Sequence, residues 1–358
     1  MSERVYLDWN ASAPLRPEAR AAVVSALDMV GNASSVHSEG RALRGLIEKA
    51  RGQVASLAGC KPSEVVFTSG ATEAASVLRH ILVGHAVCVQ DTAHECLWAH
   101  FDLTGVDENA TGHTLAMGLA NSETGVITEP PTQVDGAWPY GAVRCHALLL
   151  DVVQAVGRIP WSFHWSGAHL AILSAHKLGG PKGVGALIVR EGLEIEAIQL
   201  GGGQELGRRS GTENAAGIAG FGAACAAAER DLDADVWSGV EKLRNILENA
   251  LADGAKETIF VGNESPRLPN TSCFATPGWK GETQVMQMDL AGFAISAGSA
   301  CSSGKVKVPR VLRAYGLDDR AAESAVRVSL GPSTTEDDVL RFVDVWTRHE
   351  KKFRQRAA

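Results

Sequence analysis

Short apolar runs alternate along the chain with longer stretches that repeat apolar residues at helical spacing. Residues 64–68 (EVVFT), 147–150 and 170–173 have the length and aliphatic content of buried strands. Between such runs, the pattern over 39–58 predicts a helix, and Gly59 marks its end. Strands that alternate with helices predict an α/β fold whose sheet is mainly parallel.

Polar side chains suited to chemistry follow several of the predicted strands directly. They are Thr72, His94, Asn121, Asp151 and Lys177. In an open α/β sheet, the carboxyl ends of the parallel strands share one edge, and ligands bind at that edge. We therefore expect these side chains to contribute to one ligand site.

The stretch 170–190 (LAILSAHKLGGPKGVGALIVR) places Lys177 on a glycine-rich turn between two predicted strands. Its glycines and Pro181 predict a tight, irregular connection. A lysine that forms a Schiff base needs a rigid, partly desolvated setting, because its amine must be able to lose its proton. Taken alone, the pattern also fits a surface lysine on a β-hairpin.

A second glycine turn, at 69–73 (SGATE), joins the strand at 64–68 to a predicted helix. Such a junction presents free N–H groups at a helix start, where the helix dipole favours an anion. The turn lacks the lysine ending of a P-loop and the three-glycine spacing of a dinucleotide fingerprint. It is therefore either an anion site or a plain helix start.

The composition is that of an ordinary globular chain of 358 residues with a formal net charge of -7. No basic face points to nucleic acid, and no apolar run approaches membrane-spanning length. The first residues lack the apolar core of a signal peptide. The seven cysteines are scattered and form no CxxC pair. This argues against a metal site and a disulfide framework, and it predicts a reducing, cytoplasmic location.

An acidic, polar segment at 231–235 (DLDAD) predicts the main domain boundary. Residues 13–233 then form a large domain, while 1–12 and 234–358 form a smaller α/β domain. Within the large domain, Ser210 and Glu213 have the spacing of a capping box ahead of a helix of small residues.

Several of these residues match the needs of a pyridoxal phosphate site. Such a site needs a lysine for the Schiff base, an acid beside the pyridine nitrogen and an anion hole for the phosphate, usually with a flat group over the ring. The candidates are Lys177, Asp151, the turn at 70–72 with Ser174, and His94. Ordinary alternatives are a core histidine for His94 and a helix N-cap for Asp151.

Motifs across nearly the whole chain occur in the order found in one known family. They include SAHKLGGPKGVGAL at 174–187, GGGQELGRRSGTEN at 201–214 and SAGSACSS at 296–303. With these motifs the chain resembles the NifS-like and IscS-like cysteine desulfurases of the class V aminotransferase family, which depend on pyridoxal phosphate. The resemblance implies an aspartate aminotransferase-like fold, with a mainly parallel seven-stranded sheet in the large domain and a smaller C-terminal α/β domain.

The resemblance also implies a role for each matching residue. Lys177 would carry the Schiff base, and His94 would stack on the ring and move protons. Asp151 would pair with the pyridine nitrogen, and Gln154 with the ring oxygen. The remaining cofactor ligands would be Ala71, Thr72, Asn121, Ser174 and His176, with Thr212 reaching the phosphate of the neighbouring subunit in a homodimer.

On the same resemblance, Arg327 would bind the carboxylate of L-cysteine as a bidentate fork, with Asn121 and Asn10 beside it. Cys301 would be the nucleophile, since three basic residues that favour a thiolate follow it. It would take the substrate sulfur as a persulfide, release L-alanine and pass the sulfur to an acceptor or scaffold protein, for iron–sulfur cluster assembly or thiolation. The alternatives are a buried structural cysteine at 301, Cys96 as the nucleophile, and a surface ion pair at Arg327.

Three features depart from the family pattern. Trp9 stands where a second asparagine is usual, Pro332 stands where a basic residue is common, and the segment 95–120 is short. The shortening predicts a thinner edge of the large domain. Two other functions stay open, namely another class V pyridoxal phosphate enzyme (an aminotransferase or a selenocysteine lyase) and a catalytically inactive sulfur-relay scaffold.

Overall fold

The computed structural model describes residues 4–79, 85–101, 112–298 and 310–357. The chain divides into two compact units, a central unit of residues 13–119 and 129–233 and a terminal unit of residues 1–12, 120–128 and 234–358. The segment 120–128, which the sequence analysis assigns to the large domain, thus lies in the terminal unit. It does so because Val126 pairs with Arg267 in an isolated β-bridge, and the Ile127 N–H donates to the carbonyl of Pro266.

Helices and strands alternate through the central unit as the sequence predicts. The α-helices among the described residues are α1 (Pro17–Leu27), α2 (Ser38–Ala58), α3 (Ala71–Ala75), α4 (Glu95–Trp98), α5 (Phe163–Ser166), α6 (Ala215–Asp233), α7 (Val236–Gly254), α8 (Gly281–Leu290), α9 (Arg310–Ala314), α10 (Asp319–Ala322) and α11 (Glu336–Ala357). The strands are β1 (Val5–Tyr6), β2 (Val65–Thr68), β3 (His85–Val89), β4 (Gly112–Gly118), β5 (Trp138–Tyr140), β6 (Val143–Cys145), β7 (Ala147–Asp151), β8 (Leu170–Ser174), β9 (Gly185–Val189), β10 (Ile259–Phe260), β11 (Thr271–Ala275), β12 (Phe293–Ala294), β13 (Ser296–Ala297) and β14 (Ala325–Ser329).

Six strands form the central sheet in the described part of the chain, in the order β2-β9-β8-β7-β4-β3. All neighbours pair in parallel except β9, which runs antiparallel to both β2 and β8. The expected mainly parallel sheet is confirmed, and the described residues form six strands of it where seven were expected. Part of the short segment, residues 102–111, lies outside them, and β3 is the last strand of the described sheet on that side.

The parallel strands bring the expected side chains to one edge of the sheet. β7, β8 and β9 are buried along their whole length, as continuous apolar runs predict for a sheet covered on both faces. Asp151 ends β7 and Ser174 ends the adjacent parallel strand β8. The turns that carry His94 and Lys177 follow β3 and β8.

The helix of small residues, α6, packs closely against α1 and α2. Asn214 caps α6, because its side-chain oxygen accepts a hydrogen bond from the Gly217 N–H at 3.1 Å. The capping role predicted for Ser210 is therefore wrong, and its hydroxyl instead accepts from the Gly203 N–H at 3.2 Å. A serine five residues ahead of the first helical residue is too far away to reach the free N–H groups of the first turn.

The terminal unit contains an antiparallel sheet in the order β10-β11-β14-β13 and a parallel pair of β1 with β12. Helix α11 buries Trp346, which packs edge-on against Phe274 with ring centroids 5.3 Å apart. The Trp346 indole N–H donates to Gln284 at 3.0 Å, so this buried polar group is satisfied. Strand β14 is buried throughout and carries Arg327 into the interior of the unit.

The hairpin of β5 and β6 is an element for which the sequence analysis has no counterpart. Its strands have only three residues each, too few to show the alternation on which strand prediction depends. The Tyr140 hydroxyl donates to the carbonyl of Val89 at 3.0 Å and so ties the hairpin to β3. In the described ranges, no helix is both long and apolar enough to cross a lipid bilayer.

A substitution in α6 tests the close helix contact. A Cβ at Gly222 would lie 2.6 Å from the Ala50 Cα, so we expect Gly222→Ala to lower the free energy of unfolding by about 1–3 kcal/mol through overpacking. Gly45 lies within α2, and nothing lies within 4 Å of where its Cβ would stand, so Gly45→Ala should instead raise stability by about 0.5–1 kcal/mol. Urea unfolding of both variants measures the difference. Equal effects would contradict the close packing.

Candidate functional site

Asp151 carries a buried carboxylate at the carboxyl end of β7. Among the candidate residues of the central unit, His94 and Lys177 are the charged groups that act on it. Asp151 is 9% exposed, and its Oδ1 accepts a hydrogen bond from the Val153 N–H at 3.0 Å. Burial raises the pKa of Asp151, while the neighbouring charges of His94 and Lys177 act to lower it. A carboxylate in this position is stabilised by a positively charged partner, which a protonated pyridine nitrogen would provide.

His94 lies beside this carboxylate at the start of α4. Its Nδ1 accepts a hydrogen bond from the Cys96 N–H at 3.2 Å, which leaves Nε2 as the proton-carrying nitrogen in the neutral ring. A nitrogen of His94, the sulfur of Cys96 and a carboxylate oxygen of Asp151 lie within 4.8 Å of one another. That spacing would also suit a metal ion. Cys96 is only 8% exposed, which disfavours it as an accessible nucleophile, and Cys301 lies outside the described residues.

Lys177 ends a single 3₁₀ turn, Ala175–Lys177, that follows β8 directly. The turn is fixed by the Leu178 N–H, which donates to the carbonyl of Ala175, and by the Ala13 N–H, which donates to the carbonyl of His176 at 2.9 Å. Burial and the charges of two neighbouring lysines lower the pKa of His176 to about 4. His176 is therefore neutral at physiological pH and can donate one N–H to a ligand.

Arg158 connects two of the expected cofactor residues and was not identified from the sequence. Its Nη1 donates to the Gln154 Oε1 at 2.6 Å, and its Nη2 donates to the carbonyl of Lys177 at 3.3 Å. Arg158 is 3% exposed, so it holds both residues from inside the fold. Gln154 lies in a series of turns. Nothing in the local pattern distinguishes Arg158 from a surface arginine.

The expected phosphate turn begins α3 without a side-chain cap. Gly70 is the N-cap residue of Ala71–Ala75, so the first N–H groups of the helix have no partner within it. The Ser69 N–H donates to the Glu73 carboxylate at 2.6 Å. A Cβ at Gly185 would lie 2.7 Å from the Gly70 Cα, so a glycine is needed there for β9 to approach the turn.

Two acid–arginine pairs, one buried and one partly buried, hold the loop 201–214 against this turn. Glu205 accepts two hydrogen bonds from Arg51 at 2.8 Å and one from the Phe67 N–H at 2.8 Å. Arg209 donates to Glu73 at 2.9 Å. Glu205 has a positive φ of 50°, a conformation that costs energy for a residue with a side chain. The pairs offset that cost, and no local pattern in the sequence distinguishes these four charged residues from surface charges.

Thr212 extends from this loop on the exposed surface of the central unit. With Ser69 and Thr68 it lines a small cavity of about 100 Å³. The same loop exposes two apolar side chains, Leu200 and Leu206, which are 87% and 78% exposed.

The terminal unit brings together the residues expected to bind substrate. Arg327 donates from Nη2 to the Asp8 carboxylate at 2.6 Å and from Nη1 to the carbonyl of Ser122 at 3.0 Å. Its Nε has no hydrogen-bond partner among the described residues. The side chain is 5% exposed, so the surface ion pair considered from the sequence is instead a buried one.

Asn10 and Asn121 support the same turn from both sides. The Asn10 amide donates to the Ser122 carbonyl at 3.2 Å and to Thr271 Oγ1 at 2.9 Å. Asn10 is 1% exposed, which suits a supporting role better than contact with a ligand. Asn121 Oδ1 accepts hydrogen bonds from the N–H groups of Glu123 and Thr124, both at 2.9 Å, and so stabilises the turn that presents Ser122.

The donor set of the central unit fits pyridoxal phosphate. A buried acid with a raised pKa, a lysine on a fixed turn and an uncapped helix start are the three groups that this cofactor requires. Gln154, His94, Ala71, Thr72, Ser174 and His176 complete the expected ligands on this unit.

Comparison with known proteins gives concordant matches over almost the whole chain. The family model "Aminotransferase class-V" matches residues 5–99 and 104–342. The chain is 35% identical to a cysteine desulfurase of Cereibacter sphaeroides, with 96% of the chain and 95% of the relative covered. It is 33% identical to the cysteine desulfurase IscS of Dictyoglomus turgidum, with 99% and 96% covered. Among solved structures, a NifS-like protein from Rickettsia africae superposes with a TM-score of 0.83 at 26% identity, covering 97% of this chain and 99% of that one.

The lowered pKa of His176 predicts a loss of stability in acid. The unfolded chain takes up a proton on this histidine near pH 6.5, whereas the folded chain does so only near pH 4. Between these values protonation favours the unfolded state. We expect His176→Gln in the cofactor-free protein to lose less stability than the wild type as the pH falls from 7 to 4.5, measured by urea unfolding. His37→Gln, at a ring that is 57% exposed, is the control, and parallel curves for wild type and His176→Gln would contradict the prediction.

The Glu205 pair can be tested against an exposed acid on the same arginine. Glu205→Gln leaves the Arg51 charge buried and should lower the free energy of unfolding by about 3 kcal/mol. Glu48 also pairs with Arg51, at 3.1 Å, but is 55% exposed, so Glu48→Gln should change it by less than about 1 kcal/mol. Rebinding of pyridoxal phosphate to the cofactor-free variants should weaken for Glu205→Gln only. Similar behaviour of both variants would show that the buried pair does not hold the loop.

Proposed function

The chain belongs to the class V aminotransferase family and is a NifS/IscS-like cysteine desulfurase, and from that premise we propose that it converts L-cysteine to L-alanine with a persulfide on Cys301. The single observation that best supports the use of pyridoxal phosphate is the buried Asp151 carboxylate, with His94 and Lys177 beside it. The family implies this cofactor, and the residues of the central unit suit it.

Bound pyridoxal phosphate would supply an electron sink for negative charge at the substrate Cα. Asp151 would keep the pyridine nitrogen protonated, and Gln154, oriented by Arg158, would donate to the ring oxygen. Ala71, Thr72, Ser174 and His176 would hold the phosphate. Lys177 would attach the cofactor covalently, and its Nζ would serve as the base for the substrate Cα proton.

Recognition of the substrate falls to Arg327 in the terminal unit. Its Nε and the free N–H groups of its two terminal nitrogens can donate to the carboxylate of L-cysteine. Asn121 orients the turn beside it. His94 would lie over the cofactor ring, and its Nε2 would carry protons to and from the substrate.

Cys301 performs the step that distinguishes a desulfurase. Its thiolate, favoured by Lys305, Lys307 and Arg310 in the sequence, attacks the substrate Sγ. A sulfur–sulfur bond forms and the substrate Cβ–Sγ bond breaks. The electron pair of the broken bond stays with the carbon fragment, which takes up one proton at Cβ and regains the Cα proton from Lys177 to become L-alanine.

The persulfide sulfur then passes to an acceptor or scaffold protein, for iron–sulfur cluster assembly or for thiolation. The enzyme works as a homodimer in which Thr212 reaches the phosphate bound by the partner. Support for a protein partner at this loop comes from the exposed Leu200 and Leu206. The cytoplasmic location rests on the scattered cysteines alone and stays a prediction.

Substitutions of Cys301 and of Lys177 test sulfur transfer and cofactor attachment separately. Cys301→Ala should lower sulfide release from L-cysteine by more than about 100-fold, because the nucleophile is lost, while the visible absorption of the bound cofactor is kept. Lys177→Ala should lose both the activity and the covalently bound cofactor. Cys96→Ala is the matched control and should keep most of the activity. Sulfide release by Cys301→Ala at the wild-type rate would exclude the persulfide and favour another class V activity.

A further inference from the structure

Asp8 is held both at its carboxylate and at its backbone. Its Oδ2 accepts a hydrogen bond from Ser296 Oγ at 2.8 Å. Its backbone is held by a bridge to Ser329 and by the Tyr6 hydroxyl, which donates to the Asp8 carbonyl at 3.1 Å. The Asp8 side chain is 16% exposed. Ser296 thus fixes one carboxylate oxygen of Asp8. The other oxygen, Oδ1, accepts a hydrogen bond from Arg327.

Arg327 is anchored from the other side by the sheet. In β14 it pairs with Ser296 of β13, the same residue that holds Asp8, and with Cys273 of β11. Of its five N–H donors, one on Nη2 serves Asp8 and one on Nη1 serves the Ser122 carbonyl. The Nε–H has no partner among the described residues, and each terminal nitrogen carries a second N–H, enough for a bidentate contact with a carboxylate.

A guanidinium that is 95% buried is held in one orientation only if its charge is compensated. Asp8 is the acid that forms an ion pair with Arg327. We propose that Asp8 is a positioning residue that holds Arg327 in the orientation in which it recognises the carboxylate of the amino-acid substrate. This inference rests on the proposed function, because Arg327 must be the carboxylate-binding residue.

The Asp8→Asn substitution distinguishes a role in orienting Arg327 from a role in the stability of the fold. Asp8→Asn can still accept a hydrogen bond but lacks the charge that orients Arg327. The KM for L-cysteine should rise roughly 10- to 100-fold, while kcat stays within about threefold. Asp289→Asn is the matched control, since Asp289 also pairs with an arginine, Arg4, but at a side chain that is 57% exposed. An unchanged KM in Asp8→Asn would overturn the proposal.

Two ligands, one with and one without a carboxylate, test whether the Asp8→Asn substitution weakens recognition of the substrate carboxylate. Titration of the holoenzyme with L-alanine, which has the carboxylate, and with cysteamine, which lacks it, is followed by the change in cofactor absorption. Asp8→Asn should weaken only the binding of L-alanine, by the same factor as the KM. Equal weakening of both ligands would show general damage to the site and overturn the proposal.

Ser296→Ala provides a second variant if Asp8→Asn does not fold. It leaves both charges in place and removes only the hydrogen bond that fixes Asp8 Oδ2, so binding of L-alanine should weaken several-fold and binding of cysteamine should not. If Ser296→Ala binds both ligands as tightly as the wild type does, the role of Asp8 is contradicted. A wild type that binds both ligands but releases no sulfide from L-cysteine would refute the proposed function, while the comparison of the two ligands would still decide the role of Asp8.

Discussion

Burial of a carboxylate at the carboxyl end of a central strand is the constraint on which the functional arrangement depends. Asp151 ends a strand that is buried throughout, and burial raises its pKa. An acid in this position is tolerated only beside positive charge. The fold provides it by ending the neighbouring elements so that His94 and Lys177 lie nearby, and a protonated ring nitrogen would complete the compensation.

Charged pairs inside each unit join segments that are far apart in sequence. Arg51 and Glu205 connect α2 to the loop before α6, and Arg327 and Asp8 connect β14 to the start of the chain. Breaking such a pair leaves an uncompensated buried charge, which makes the pair a strict determinant of geometry even where its net contribution to stability is small. In the central unit such a pair holds the loop that carries Thr212, and in the terminal unit it holds the Arg327 guanidinium itself.

The residues that depart from the family pattern are accommodated by their neighbours in the fold. Trp9 and Pro332 are distant in sequence, yet the Trp9 ring packs on the backbone of Gly331, where a Cβ would lie 2.0 Å from the ring. The bulky residue at 9 is thus accommodated by the glycine beside Pro332. The short segment after His94 leaves β3 as the last described strand on that side of the sheet, and the strands that carry Asp151 and Ser174 lie farther inside.

The sequence alone determined the α/β class, the strand ends that carry Asp151 and Lys177, and the family, because apolar periodicity and contiguous motifs are local properties of the chain. It also predicted the helix over α2 and its glycine stop, at which Gly59 adopts a left-handed conformation. The tertiary structure decided that Arg158 orients Gln154, that Glu205 fixes the loop of Thr212, and that Asp8 faces Arg327. These contacts join residues up to 319 positions apart, and local pattern carries no information about which buried charges will meet.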